Sequence, residues 1–136
     1  APWLIVIALS VPAGAWFADL SQTRTADAMC GQVGAVLGVP VTAGDGVEQL
    51  GRALAGRGKL LLVLDSFDAV VEHAEATVAR WLRAAPSARF LVASREPLRI
   101  AEEQLHPVEP LDLPAEGSPP EDSPAMRLFL QRARKA

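Results

Sequence analysis

Two short runs hold the side chains best suited to chemistry. Leu60-Leu61-Leu62-Val63-Leu64 leads straight into Asp65-Ser66-Phe67-Asp68, and Arg89-Phe90-Leu91-Val92-Ala93 into Ser94-Arg95-Glu96. A carboxylate directly after a run of apolar strand residues has the form of a Walker B motif. The strand holds it at the sheet edge, where it can orient a magnesium ion and its waters beside a triphosphate. An Asp at a strand end also serves as a helix cap, a role open to Asp68. Arg95 follows Asp65 at a distance that leaves room for one helix between neighbouring strands, so its guanidinium can reach the same anion. A guanidinium stays charged and grips phosphate through two parallel hydrogen bonds. The plainer reading of Arg95 is a surface pair with Glu96 or Glu102, which contributes little.

These positions depend on the elements around them. Residues 1–18 carry no charge, and Leu4-Ile5-Val6-Ile7-Ala8-Leu9 reads as a buried strand, since parallel strands covered on both faces are continuous Ile/Val/Leu runs. A signal peptide would place Lys or Arg ahead of that run, whereas the first basic residue is Arg24. A membrane helix needs about 20 apolar residues, and Pro2, Pro12 and Asp19 crowd a shorter stretch. Ala15 to Leu20, aromatic and bounded by Gly14 and Ser21, is a second strand. Thr25 caps a helix with Met29, Val33, Val36 and Leu37 on one face, which Gly38 and Pro40 stop. Asp45 caps a short helix bearing Val47, Leu50 and Leu54.

Beyond Asp68, Val71, Ala74, Val78, Trp81, Leu82 and Ala85 share one helical face, with Glu72, His73, Glu75, Arg80 and Arg83 on the other, up to Pro86. Arg89 to Ala93 is expected to be another buried strand. Leu105 to Leu111, interrupted by Pro107 and Pro110, suits a sheet edge. Residues 114–123 read as an exposed loop. Ser123 and Pro124 then start a last helix that buries Met126, Phe129, Leu130 and Ala133. Strands separated by helix-length crossovers predict an α/β fold, a mostly parallel sheet with flanking helices, in one domain spanning residues 1–136. Ligands of such sheets bind outside the carboxyl ends of the strands, where Asp65 and Arg95 fall.

Composition narrows the function classes. With 136 residues, half of them apolar and 21% charged, the chain has the makings of one folded core. It is not a disordered, collagenous or coiled-coil chain. A formal charge of −3 gives no basic excess for nucleic acid, so no direct DNA contact is expected from this segment. Cys30 alone cannot form an internal disulfide, which suits a reducing, cytoplasmic setting. It has no neighbouring base and reads as an inert thiol. His73, His106 and Cys30 make no zinc pattern. Trp3, Trp16 and Trp81 read as core fillers. The basic end formed by Arg127, Arg132, Arg134 and Lys135 suits a helix C-terminus.

Taken together, Leu61-Leu62-Val63-Leu64-Asp65-Ser66-Phe67-Asp68-Ala69-Val70 and Leu91-Val92-Ala93-Ser94-Arg95-Glu96-Pro97-Leu98-Arg99 resemble the nucleotide-binding domain of bacterial STAND ATPases. The likeness is to the NB-ARC-like group found in large LuxR-type and AfsR-type transcriptional regulators. It extends upstream through Gly14 to Leu20 and downstream through Val108 to Pro114 and Ser123 to Leu130. The resemblance implies a P-loop fold that binds ATP or ADP with Mg and acts as a cytoplasmic nucleotide-dependent switch. Asp65 would be the Walker B carboxylate, holding Mg through water, and Arg95 the sensor of the γ-phosphate. The implied catalytic set is Asp65, Asp68 and Arg95; the implied nucleotide contacts are Asp65, Ser66, Ser94 and Arg95. The implied partners are the other domains of a larger regulator.

The family's Gly-x-x-x-x-Gly-Lys-Ser/Thr loop occurs nowhere in these residues. Gly56-Arg57-Gly58-Lys59 precedes a strand instead of following one, and Leu60 takes the hydroxyl position. Without the amide nest and lysine, the β- and γ-phosphates lose their main cradle, so tight ATP binding is not expected. Ser66 and Asp68 also depart from the residues common at those places. The chain is accordingly expected to be a fragment or a degenerate remnant of such an ATPase. Its shortened sheet would have an apolar edge that favours self-association. A nucleotide-free interaction or scaffold domain of the same fold remains the alternative. A receiver domain would share the spacing of Asp65 and Ser94, but Leu9-Ser10-Val11 stands where its acidic pair should be, and no lysine occurs between Lys59 and Lys135. Neither a Gly-x-Ser-x-Gly elbow nor a Gly-x-Gly-x-x-Gly turn is present.

Overall fold

Three of the apolar runs become the strands of one parallel sheet. The computed structural model describes residues 13–109, 112–113, 116–117, 119 and 123–135. In it, β1 (Ala15–Asp19), β2 (Leu61–Asp65) and β3 (Arg89–Val92) lie in the order β1-β2-β3. Ala15 faces Leu61 and Asp19 faces Asp65 across the first pair; Leu61 faces Arg89 across the second. Parallel neighbours need crossovers, and helices supply both of them. The chain is therefore an α/β fold with a parallel sheet and flanking helices. The expected Leu4–Leu9 strand and Trp3 fall outside the described residues.

Between β1 and β2 run α1 (Ala26–Leu37) and α2 (Gly46–Arg57). Thr25 caps α1 as its type and place require, its hydroxyl accepting the Ala28 N–H at 3.1 Å. Gly38 ends the helix at φ 71°, ψ 28°, left-handed angles that glycine adopts without a Cβ clash. Asp45 occupies the cap position of α2, but its side chain makes no cap bond. Gln49 closes that corner instead: its amide accepts from the Thr42 N–H and donates to the Thr42 hydroxyl.

The single amphipathic helix expected after Asp68 is three pieces. A 3₁₀ segment, Phe67–His73, leaves helical angles at Val70, a π turn covers Glu75–Ala79, and α3 (Arg80–Ala84) completes the crossover. The first turn is constrained because the Phe67 N–H donates to the Ala93 carbonyl just past β3, at 3.0 Å. The extra residue of the π turn restores the inward stripe, so Val70, Ala74, Val78, Trp81 and Ala85 are all buried.

Strand alternation divides the sheet residues between two faces. Ala18, Leu62 and Leu64 join Leu20, Met29, Val33, Leu50, Leu54 and Trp81 in the main core, with Trp16, Phe90 and Val92 packed against it. The Trp81 indole stacks on Phe90 with centroids 6.3 Å apart and donates its N–H to the Val47 carbonyl at 2.9 Å. Trp16 is only half-buried and carries the Arg57 guanidinium 5.2 Å above its ring. Phe17, Leu61, Val63 and Leu91 make the opposite face. Leu61 and Val63 are buried there, whereas Phe17 is 51% and Leu91 42% exposed. The buried strand expected at Arg89–Ala93 is thus half-exposed along its length, since a run of apolar residues does not reveal whether a strand is central or flanking.

Residues 13–104 described so far form one compact unit, and Leu105 to Ala136 another. In the second, the expected extended stretch from Leu105 pairs with no strand over residues 105–109, and Leu105 and Val108 are exposed. The Ser123 hydroxyl accepts the Met126 N–H and opens α4 (Pro124–Lys135) where the Ser-Pro signal places it. Met126 and Leu130 are half-buried. Phe129, expected inside, is 65% exposed, and Ala133 is exposed too. Among the described residues, no helix is long and apolar enough to cross a membrane.

Candidate functional site

Because β2 and β3 are parallel neighbours, their carboxyl ends deliver their following residues to one rim. Asp65 is the last residue of β2, and Ser94 and Arg95 follow two and three places after the end of β3. The two loops are stitched together by backbone hydrogen bonds: the Ala93 N–H to the Leu64 carbonyl at 2.9 Å, and the Phe67 N–H to the Ala93 carbonyl at 3.0 Å. The Leu20 N–H donates to the Asp65 carbonyl from the β1 side. The result is an open depression of about 430 Å³ lined by Asp65, Ser66, Asp68, Ala93, Ser94 and Arg95. All five residues singled out from the sequence line it.

The chain turns sharply at Ser66, whose φ of 58° and ψ of 41° are left-handed, an uncommon conformation for a residue with a Cβ. The Ser66 N–H donates to Asp65 Oδ1 at 2.9 Å, which anchors one oxygen of that carboxylate. Asp65 Oδ2 has no hydrogen-bond partner among the described residues and can accept a water of a hydrated magnesium ion. A single carboxylate oxygen suits Mg²⁺ held through its waters, because that ion keeps much of its hydration shell. Among the described residues, no three His, Cys, Asp or Glu side chains converge to hold a metal directly.

Asp68 does not cap the helix that follows it. Its Oδ2 accepts two hydrogen bonds from Arg95, from Nη2 at 2.8 Å and Nε at 3.3 Å. Neither carboxylate weighed as a surface partner takes that place. Glu102 pairs with Arg83 at 2.8 Å, and Glu96 adds only its charge nearby. The Arg95 hydrogen bond holds the Asp68 carboxyl below the usual carboxylate range, and Asp68 in turn raises the Arg95 guanidinium. Ser94 is turned inward on its own loop, its hydroxyl accepting the Glu96 N–H at 3.2 Å.

Asp19 is the rim residue that motif reasoning passed over. It ends β1 and stands directly across from Asp65 in the register. Its Oδ1 accepts the Ser21 N–H at 2.9 Å, which lowers its pKa. The available signal was an Asp closing an apolar strand, the same signal that marked Asp65. Comparisons with protein-family models, with curated proteins and with solved structures each found no match.

Proposed function

We propose that this chain is a nucleotide-binding, ATPase-type switch domain of a bacterial signalling or transcriptional regulator. Its partners would be other domains of that regulator. The observation that carries the reading is the convergence of Asp65 and Arg95 on one depression at the carboxyl rim of two adjacent parallel strands. That is the place where open α/β sheets receive ligands. Asp65 offers an oxygen to the waters of Mg, and Arg95 offers a charged fork to a terminal phosphate. ATP or ADP with Mg is the cofactor these roles imply. The sequence supplies no Gly-Lys-Ser/Thr loop, so the rim grips only the far end of a nucleotide, and affinity in this chain is low.

A second reading, a nucleotide-free interaction domain on the same framework, draws on the pairing of Arg95 with Asp68. The depression then holds two carboxylates against one guanidinium that is already engaged. Titrating MgATP and magnesium tripolyphosphate into isotope-labelled protein decides between them. The switch reading expects weak, saturable shifts confined to the Asp65–Asp68 and Ser94–Arg95 loops, abolished in Arg95→Ala. Shifts that are absent, or equal in Arg95→Ala, leave the interaction domain standing and remove the switch.

A further inference from the structure

The pair at the rim has a geometry that bears on how the depression is controlled. Arg95 is 88% exposed at its side chain and sits on a loop, whereas Asp68 is 21% exposed and sits on the first turn after β2. Asp68 is therefore the more buried partner, on the turn that leaves β2, and Arg95 the more exposed one. The carboxylate oxygen of Asp68 lies against the Nε and Nη2 edge of the guanidinium, one of the edges that forks onto phosphate. It uses one oxygen for both bonds, and the Nε contact is long at 3.3 Å. A two-oxygen fork is the stronger arrangement, and a phosphate offers it.

We infer that Asp68 is a built-in competitor that occupies the phosphate-gripping edge of Arg95, so that an anion reaches this rim only by exchanging with the carboxylate. The inference rests on the switch reading and adds its regulation. The resting chain shields Arg95, the one cation among the described residues lining the depression, with an internal anion, and a terminal phosphate releases it. The exchange is feasible because the pair is solvent-exposed; such pairs contribute little and are readily replaced. Release leaves Asp68 a free carboxylate on the turn that leads into the Phe67–Ala84 crossover, which gives the anion a handle on that element.

The opposite view makes Asp68 a support that holds Arg95 ready, and the two views predict opposite signs. The test is tripolyphosphate binding by the full chain, followed by the Arg95 Nε–H resonance, in wild type, Asp68→Asn, Asp68→Ser and Arg95→Ala. Asn keeps an acceptor oxygen at nearly the same place while removing the charge, and Ser covers the case in which Asn disturbs the fold. A competitor predicts roughly two- to fivefold tighter binding in both Asp68 variants, the range for releasing one exposed ion pair. It also predicts that saturating tripolyphosphate moves the wild-type Arg95 Nε–H signal to the position it holds in liganded Asp68→Asn. Weaker or unchanged binding in the Asp68 variants, with Arg95→Ala still abolishing it, overturns the competitor and leaves the switch reading intact. No binding by wild type or either Asp68 variant overturns both.

Discussion

Two side chains show how local surroundings set chemistry at the scale of a residue. The Asp68 carboxyl lies below the usual carboxylate range, chiefly because Arg95 hydrogen-bonds its ionised form. Its folded value is depressed relative to the unfolded chain. The stabilisation is therefore complete above the unfolded value and disappears as pH falls through the folded one. The Asp68–Arg95 pair is expected to persist through neutral and mildly acidic solution and to open only in stronger acid. In Arg95→Gln, the Asp68 carboxyl carbon should titrate at higher pH than in wild type; an unshifted midpoint would show that the pair does not form in solution. Cys30 moves the other way. Burial pushes its thiol up to about 11, with Asp27 adding to the effect, and only the thiolate reacts readily. Native protein at pH 8 should thus alkylate far more slowly than protein in urea, at a rate set by opening of α1. Rapid, stoichiometric labelling of the native chain would contradict that packing.

At the scale of elements, the three strands of the described sheet were legible because apolar runs separated by helical stripes allow few arrangements, whereas the extended stretch read from Leu105 pairs with no strand over residues 105–109. Thr25, Gly38 and Ser123 marked their helix ends through side-chain and backbone chemistry that acts locally. What escaped were features fixed by contacts distant in sequence. The facing of Asp19 and Asp65 depends on which strands pair, and the Asp68–Arg95 bond spans the whole β2–β3 crossover. The chain after Ser66 is tied to the end of β3 by the Phe67 N–H on the Ala93 carbonyl and runs on as 3₁₀ and π pieces, none of which periodicity records. Close packing of α1 on α2 is another such contact. A Cβ built on Gly46 would lie 2.8 Å from the Cys30 Cβ, inside contact distance, so α2 can start there only with glycine. Gly46→Ala is expected to destabilise the protein by about 1–3 kcal/mol, the usual cost of overpacking. Cys30→Gly should absorb part of that cost, so that urea unfolding of the double variant shows less destabilisation than the sum of the two single changes. Strict additivity would place the strain elsewhere.

For the whole molecule, the question is which part of the chain carries the rim. Among the described residues, every member of the main core lies between Ala18 and Ile100, and the three strands, both crossovers and the lining of the depression fall within the first compact unit. The hydrophobic effect acts where apolar surface is buried, so the cooperative stability of the rim should reside in that unit. Within the second unit, α4 carries Arg127, Arg132 and Arg134 together with exposed Leu128 and Phe129. A chain ending at Gln104 is therefore expected to unfold in a single transition. Its Asp65–Asp68 and Ser94–Arg95 resonances should match those of the full chain, and its tripolyphosphate affinity should agree within about twofold, the low end of what one exposed ion pair contributes. The reverse piece, residues 105–136, should show no cooperative transition, since one twelve-residue helix is marginal in water. If shortening the chain abolished the Arg95 Nε–H signal of the pair, the geometry of the rim would depend on the second unit. The switch would then have to be described for the two units together.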